Sequence, residues 1–164
     1  MNPIKGVKLE MHTLQDPPEW RFVAGRRVRV RKPSPNIFNR DMRAEVATTD
    51  KLGYTFFNKS PFNIFPYLFY FDPLTFSILK CYSPESTEKE APLPASRADG
   101  GDPPKVVIGY NAGDNAFMME GTPGDVGILK VLLSTENLQM DWIEQSPITA
   151  TRGMVMERPP ENFL

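Results

Sequence analysis

The sequence predicts an all-β domain: a two-sheet antiparallel β-sandwich of about eight or nine short strands. Three observations lead there. Apolar and polar residues alternate with a period of two in run after run, the pattern of a half-buried strand. The chain carries 17 prolines and 11 glycines, spaced so that few segments escape interruption. Proline cannot donate to a helix interior or a central ladder, so its frequency favours short strands and turns over helices. No segment shows a convincing helical period.

The elements follow in order. Residues 7–14 alternate cleanly, and Asp16-Pro17-Pro18 ends the run. Residues 27–31 read Arg-Val-Arg-Val-Arg, with arginines on one face and valines on the other, and residues 34–42 read as a loop. Residues 43–48 and 53–58 read as two strands joined by a turn at Asp50-Lys51-Leu52-Gly53. Residues 64–71, Ile-Phe-Pro-Tyr-Leu-Phe-Tyr-Phe, read as a central strand buried on both faces. Pro66 there demands a bulge or a place among the strand's first residues. Asp72-Pro73 opens a turn into a strand over residues 75–82.

Residues 83–104 hold five prolines and the acidic run 85–90, so a long mobile loop is expected. Strands are then expected at residues 105–110, 116–119 and 127–134. Alternation at Leu138, Met140 and Trp142 predicts a last strand, with a helix capped by Thr135 as the other reading. The sandwich is expected to occupy residues 1–147, and residues 148–164 read as an irregular or truncated tail.

Chemistry is sparse. Cys81 is the single cysteine and His12 the single histidine. One cysteine forms no internal disulfide, and one of each residue excludes the common zinc sets. Neither sits in a nucleophile signature, so a small buried thiol and an edge-strand imidazole are expected rather than a dyad. Asp99-Gly100-Gly101-Asp102 lacks the spaced acidic ladder of a calcium loop. Gly121-Thr122-Pro123-Gly124 lacks the lysine of a phosphate loop. No catalytic residue, metal or cofactor is expected.

Two features invite a binding role. Arg27, Arg29 and Arg31 would form a cationic row, either a docking surface or a guard against edge-to-edge pairing. The guard is the favoured reading, because the net charge is −1 and no other basic run extends the patch. That near-neutral charge also gives no expectation of nucleic-acid or membrane partners. The aromatics Phe56, Phe57, Phe62, Phe65, Tyr67, Phe69, Tyr70, Phe71 and Phe76 are expected in the core rather than on a sugar-stacking platform. No apolar run reaches the length of a membrane span or a signal peptide, so a cytoplasmic location is expected.

Several motifs occur in a characteristic order. They are Asn58-Lys59-Ser60, the run from Ile64 through Asp72-Pro73, Tyr82-Ser83-Pro84, Ala91-Pro92-Leu93, and Val107-Ile108-Gly109-Tyr110. Asp125-Val126-Gly127 with the strand following it and Gln145-Ser146-Pro147 complete the set. Over roughly residues 5–153 this order resembles the non-catalytic region that follows the caspase-like peptidase domain in many mushroom-type fungal proteins. The resemblance implies a β-sandwich accessory module with a regulatory or partner-binding role, its partner a protein such as a caspase-like peptidase. It carries over no catalytic residue. The resembling region also continues past Arg152-Gly153 into a further apolar strand, of which this chain is expected to fall short. The alternative expectation is a lectin-like module for glycan or anionic lipid.

Overall fold

The computed structural model describes residues 3–148 and 153–157. Among them it is all-β, with ten strands and two short 3-10 turns, at Pro3–Gly6 and Asp141–Ile143. The strands are β1 (Val7–Leu14), β2 (Glu19–Val23), β3 (Arg26–Val30), β4 (Lys51–Asn58), β5 (Phe65–Asp72), β6 (Ser77–Tyr82), β7 (Lys105–Ile108), β8 (Phe117–Glu120), β9 (Ile128–Ser134) and β10 (Gly153–Met156). All pairings are antiparallel.

Two main sheets enclose the core. The larger runs β1-β4-β8-β10, with β7 also paired to β4, and the smaller runs β6-β5-β9. Leu9 and Met11 of β1 and Leu52, Tyr54 and Phe56 of β4 meet Leu68 and Tyr70 of β5 and Cys81 of β6 in one buried cluster. The alternation of β1 and β4 thus turns one face of the large sheet inward. Strand β5 is buried on both faces. Its Leu68 and Tyr70 point into the sandwich, while Phe65, Tyr67 and Phe69 lie under Ala91, Met140 and Ile143 outside it. That double burial explains the near-continuous apolar run. Pro66 is the second residue of β5, and the ladder to β6 shifts register between Leu68 and Phe69, leaving Cys81 as the extra residue.

Several boundaries depart from expectation. Residues 43–48 form no strand: Asn39 accepts from Arg43 and Asp50 from Ala47 in local turns, although Ala44 and Val46 still pack on the core. Residues 141–143 form a 3-10 turn, not a strand, because Leu138 and Trp142 have no face to cover and stay exposed. The tail expected from residue 148 contains β10, which pairs with β8 and buries Met154 beside Tyr54 and Cys81. The sandwich therefore extends beyond residue 147.

The loop at residues 83–104 is pinned in its middle. Leu93 is fully buried, exchanges backbone hydrogen bonds with Ile64, and belongs to the main core. The pin is Asn58, also fully buried. Its amide donates to the carbonyls of Phe62, Leu93 and Pro94, and its Oδ1 accepts from the backbone and hydroxyl of Ser60. The Asn58-Lys59-Ser60 sequence is thereby a structural knot whose amide is committed to the interior.

Candidate functional site

The residues singled out for chemistry lie apart. Cys81 is on β6 in the smaller sheet, buried, with its thiol near Met154 and the Leu79 carbonyl. Burial pushes its pKa up to about 12, so the nucleophilic thiolate is suppressed. His12 is on β1 in the larger sheet. Its Nδ1 lies 2.8 Å from the Ser34 carbonyl and its Nε2 lies 3.0 Å from Thr55 Oγ1, which also meets the Tyr110 hydroxyl. The imidazole packs edge-on against the Tyr110 ring, 5.7 Å between centroids. Opposite His12 in the ladder stands Gly53, where a Cβ would lie 2.6 Å from the Tyr110 ring. Glycine is required there to admit the tyrosine. The cluster joins β1, the loop at Ser34, β4 and Tyr110 just after β7, and none of these contacts is with Cys81.

The three arginines do not form one exposed row. Arg31 is buried, and its guanidinium binds the Glu157 carboxylate at 2.7 and 3.1 Å and Asp16 at 3.2 Å. Arg29 reaches Asn115 and lies 3.5 Å from Glu157. Lys51 closes the cluster at 3.6 Å from the same carboxylate. Burial opposes the charge on Glu157, but the Arg31 hydrogen bonds and the surrounding cations outweigh it and hold the carboxyl below its ordinary range. Arg29 and Arg31 are thus committed to internal pairing at the foot of β3.

Arg27 differs. It belongs to a two-stranded ribbon, β2 and β3, whose strands pair only with each other among the described residues. The register puts Phe22 opposite Arg27 and Trp20 opposite Arg29, so all four project from one face. Arg27 leans diagonally over the Trp20 ring, its guanidinium carbon 4.7 Å from the centroid. Arg21, Val23 and Arg26 occupy the other face. Residues Ala24 and Gly25 turn the ribbon with φ of 49° and 77°, the left-handed pair that suits a two-residue hairpin.

Every residue from 20 to 27 is exposed, Phe22 at 79% and Trp20 at 49%. The stretch reads Trp-Arg-Phe-Val-Ala-Gly-Arg-Arg: three cations, no carboxylate, and three large apolar side chains in water. Single exposed apolar residues are ordinary, but contiguous ones mark interaction sites. The ribbon's foot is fixed. Gly113 donates to the Arg29 carbonyl, Gln15 to that of Lys32, and Lys32 and Arg21 both reach the Glu19 carboxylate. Hydrogen bonds from Lys32 and then Arg21 lower the Glu19 pKa to about 2.

Strand β2 went unread in the sequence, although two short runs separated by two residues ending in glycine are a hairpin signal. Elsewhere the surface offers an open depression of about 530 Å³ lined by Tyr82, Ser83, Pro84, Glu85 and Glu88. Among the described residues no three metal-capable side chains converge, and no helix is long and apolar enough to cross a membrane. Fold and ribbon together define a β-sandwich carrying a projecting cationic–aromatic hairpin. Compared with known proteins, the chain matches no family model, no curated protein and no solved structure.

Proposed function

We propose that this chain is a non-catalytic binding module: the sandwich is a scaffold and the β2–β3 ribbon is its contact element. The observation that carries the reading is the run of exposed residues 20–27, where Trp20, Phe22 and Val23 remain in water beside three arginines. Leaving such a surface uncovered gains nothing for the fold, whereas aromatic and arginine side chains dominate binding energy at interfaces. The motif order that resembles the region after caspase-like peptidases supports an accessory role, in which the module positions or regulates a peptidase instead of cutting.

The test is a Trp20→Ala/Phe22→Ala variant compared with the parent chain against acidic peptide, RNA, anionic vesicles and a purified caspase-like peptidase domain. The expected result is saturable binding of at least one of these by the parent, lost in the variant at unchanged melting temperature. Equal binding by the two proteins, or no binding by the parent, would overturn the ribbon as contact element.

A further inference from the structure

The ribbon's chemistry narrows the partner. We propose that residues 20–27 dock onto the surface of an anionic lipid bilayer, with Phe22 and Val23 at the headgroup–acyl boundary and Arg21, Arg26 and Arg27 among the phosphates. The inference rests on the reading of the ribbon as the contact element.

Shape is the first argument. The exposed apolar groups sit at the end of a projecting hairpin, not in a groove. A convex tip needs a matching pocket on a protein, but none on a bilayer. From the turn back to Trp20 the ribbon rises three residues, about 10 Å at the strand repeat. Interfacial elements bury their apolar side about 5–10 Å deep, so Val23 and Phe22 would enter and Trp20 would lie at the interface, where tryptophan is favoured.

Charge is the second. The eight residues carry three cations and no anion, while the whole chain is −1. The remainder is therefore net negative and is repelled from an anionic plane, which orients the ribbon toward it. Arginine stems lie along apolar surface while their heads stay at the phosphates. Arg27 already lies against Trp20 in this way.

The patch is also small. The adjacent cations Arg29, Arg31 and Lys51 are spent on Glu157, and Arg31 also binds Asp16. Arg21 is shared with Glu19, which leaves Arg26 and Arg27 as the ribbon's uncommitted cations, and so few give a nucleic acid little affinity, because phosphate binding scales with the number of contacts. So few suffice at a bilayer when apolar insertion adds to them.

The experiment uses the full chain with vesicles of phosphatidylcholine alone, or of phosphatidylcholine with phosphatidylserine. A Trp142→Phe background isolates the emission of Trp20, because the chain has two tryptophans. Expected are co-sedimentation with the anionic vesicles only, a blue shift of Trp20 emission, and loss of both in high salt. Arg26→Gln/Arg27→Gln should weaken partition about 30-fold, at roughly fivefold per cation near an anionic surface. Phe22→Ser should weaken it with the charge intact, and Arg26→Lys/Arg27→Lys should retain it. Melting temperatures should match the parent throughout. No binding of anionic vesicles by the parent, or binding with no change in Trp20 emission, overturns the inference. If vesicles are ignored while acidic peptide or RNA binding still requires Trp20 and Phe22, the contact element stands and the bilayer falls. If vesicle binding survives every ribbon substitution, both fall.

Discussion

The Glu157 carboxylate grips the Arg31 guanidinium at two points, Oε2 to Nη1 at 2.7 Å and Oε1 to Nη2 at 3.1 Å, and so ties the last described strand to the foot of the ribbon. The side chains are 15% and 4% exposed. Removing one partner from such a pair leaves an uncompensated charge, at a cost of about 3–5 kcal/mol when the site is buried. Glu157→Gln is expected to fall toward the lower end, since Asp16 still faces Arg31. Urea unfolding of the variant and parent at neutral pH checks it.

The same contact sets an acid limit. The Glu157 carboxyl titrates lower in the folded chain than its ordinary value of 4.5. Its stabilisation is complete above 4.5 and is lost as pH falls through the folded value. Arg29, Arg31 and Lys51 face it, and Asp16 shares the Arg31 guanidinium. Glu19 adds a second acid limb, held down to about 2 by Lys32 and Arg21, but it is half-exposed and screened by salt. Melting temperatures in high salt should therefore show the Glu157 limb in the parent and a shallower one in Glu157→Gln. Parallel profiles would count against the assignment.

Asn58 should be among the most sensitive positions in the chain. Asn58→Ala strips donors from the carbonyls of Phe62 and Pro94 and an acceptor from Ser60, while the Leu93 carbonyl keeps its bond from the Ile64 N–H. Buried groups left unpaired cost about 1–3 kcal/mol each, so a loss of at least 3 kcal/mol is expected, or about 6–12 °C in melting temperature for a domain of this size. Asn58→Asp keeps the acceptor but sets a charge against three carbonyls, and should be no better. A stable Asn58→Ala would show that the loop is held elsewhere.

Limited proteolysis should now discriminate within the loop at residues 83–104. Leu93 and its neighbours are tied to Ile64, Asn58 and Ser60, whereas residues 97–102 are exposed and turn through Gly100 at φ 76°. First cleavage is expected after Arg97 with trypsin, before any cut at Lys89. The opposite order, read by mass spectrometry, would contradict the pinning.

The sequence conveyed what burial imposes and missed what pairing imposes. Strand β5 was legible because both its faces are covered, which forces an apolar residue at nearly every position. Strand β1 was legible because one face is covered. Strand β10 was not: four residues, Gly-Met-Val-Met, become a strand only through β8, more than thirty positions away. The alternation at residues 43–48 was real, since Ala44 and Val46 pack on the core, yet packing alone builds no ladder. The arginine row failed for a related reason. A period of two places side chains on one face, but it does not say that Glu157, 126 residues from Arg31, will occupy part of that face. Net charge misled similarly, because an average of −1 conceals eight residues with three cations and no anion.

Substituting Arg27, Arg29 and Arg31 one at a time should therefore give three different outcomes, where a uniform docking row or edge guard would give one. Arg31→Gln loses its bidentate contact and its bond to Asp16 while leaving Glu157 half-satisfied in a largely buried site. A loss of about 3 kcal/mol is expected. Arg29→Gln removes the reach to Asn115 and a longer contact to Glu157, for about 1 kcal/mol. Arg27→Gln gives up a stacking contact with Trp20 on an exposed ribbon, worth about 0.5–1 kcal/mol to the ribbon alone. Global unfolding should hardly register it, because residues 20–27 are exposed and, among the described residues, β2 and β3 pair only with each other. Self-association is the remaining question. Apart from the bond that Gly113 donates to the Arg29 carbonyl, no strand among the described residues covers the outer edges of β2 and β3, and unguarded edges pair with those of other molecules. If Arg27 guards them, Arg27→Gln should raise the weight-average mass in sedimentation while Arg29→Gln and Arg31→Gln do not. If Arg27 is a contact residue, its variant should remain monodisperse and lose its ligand, and that second result is expected from its place over Trp20, on the ribbon's face and not along its edge.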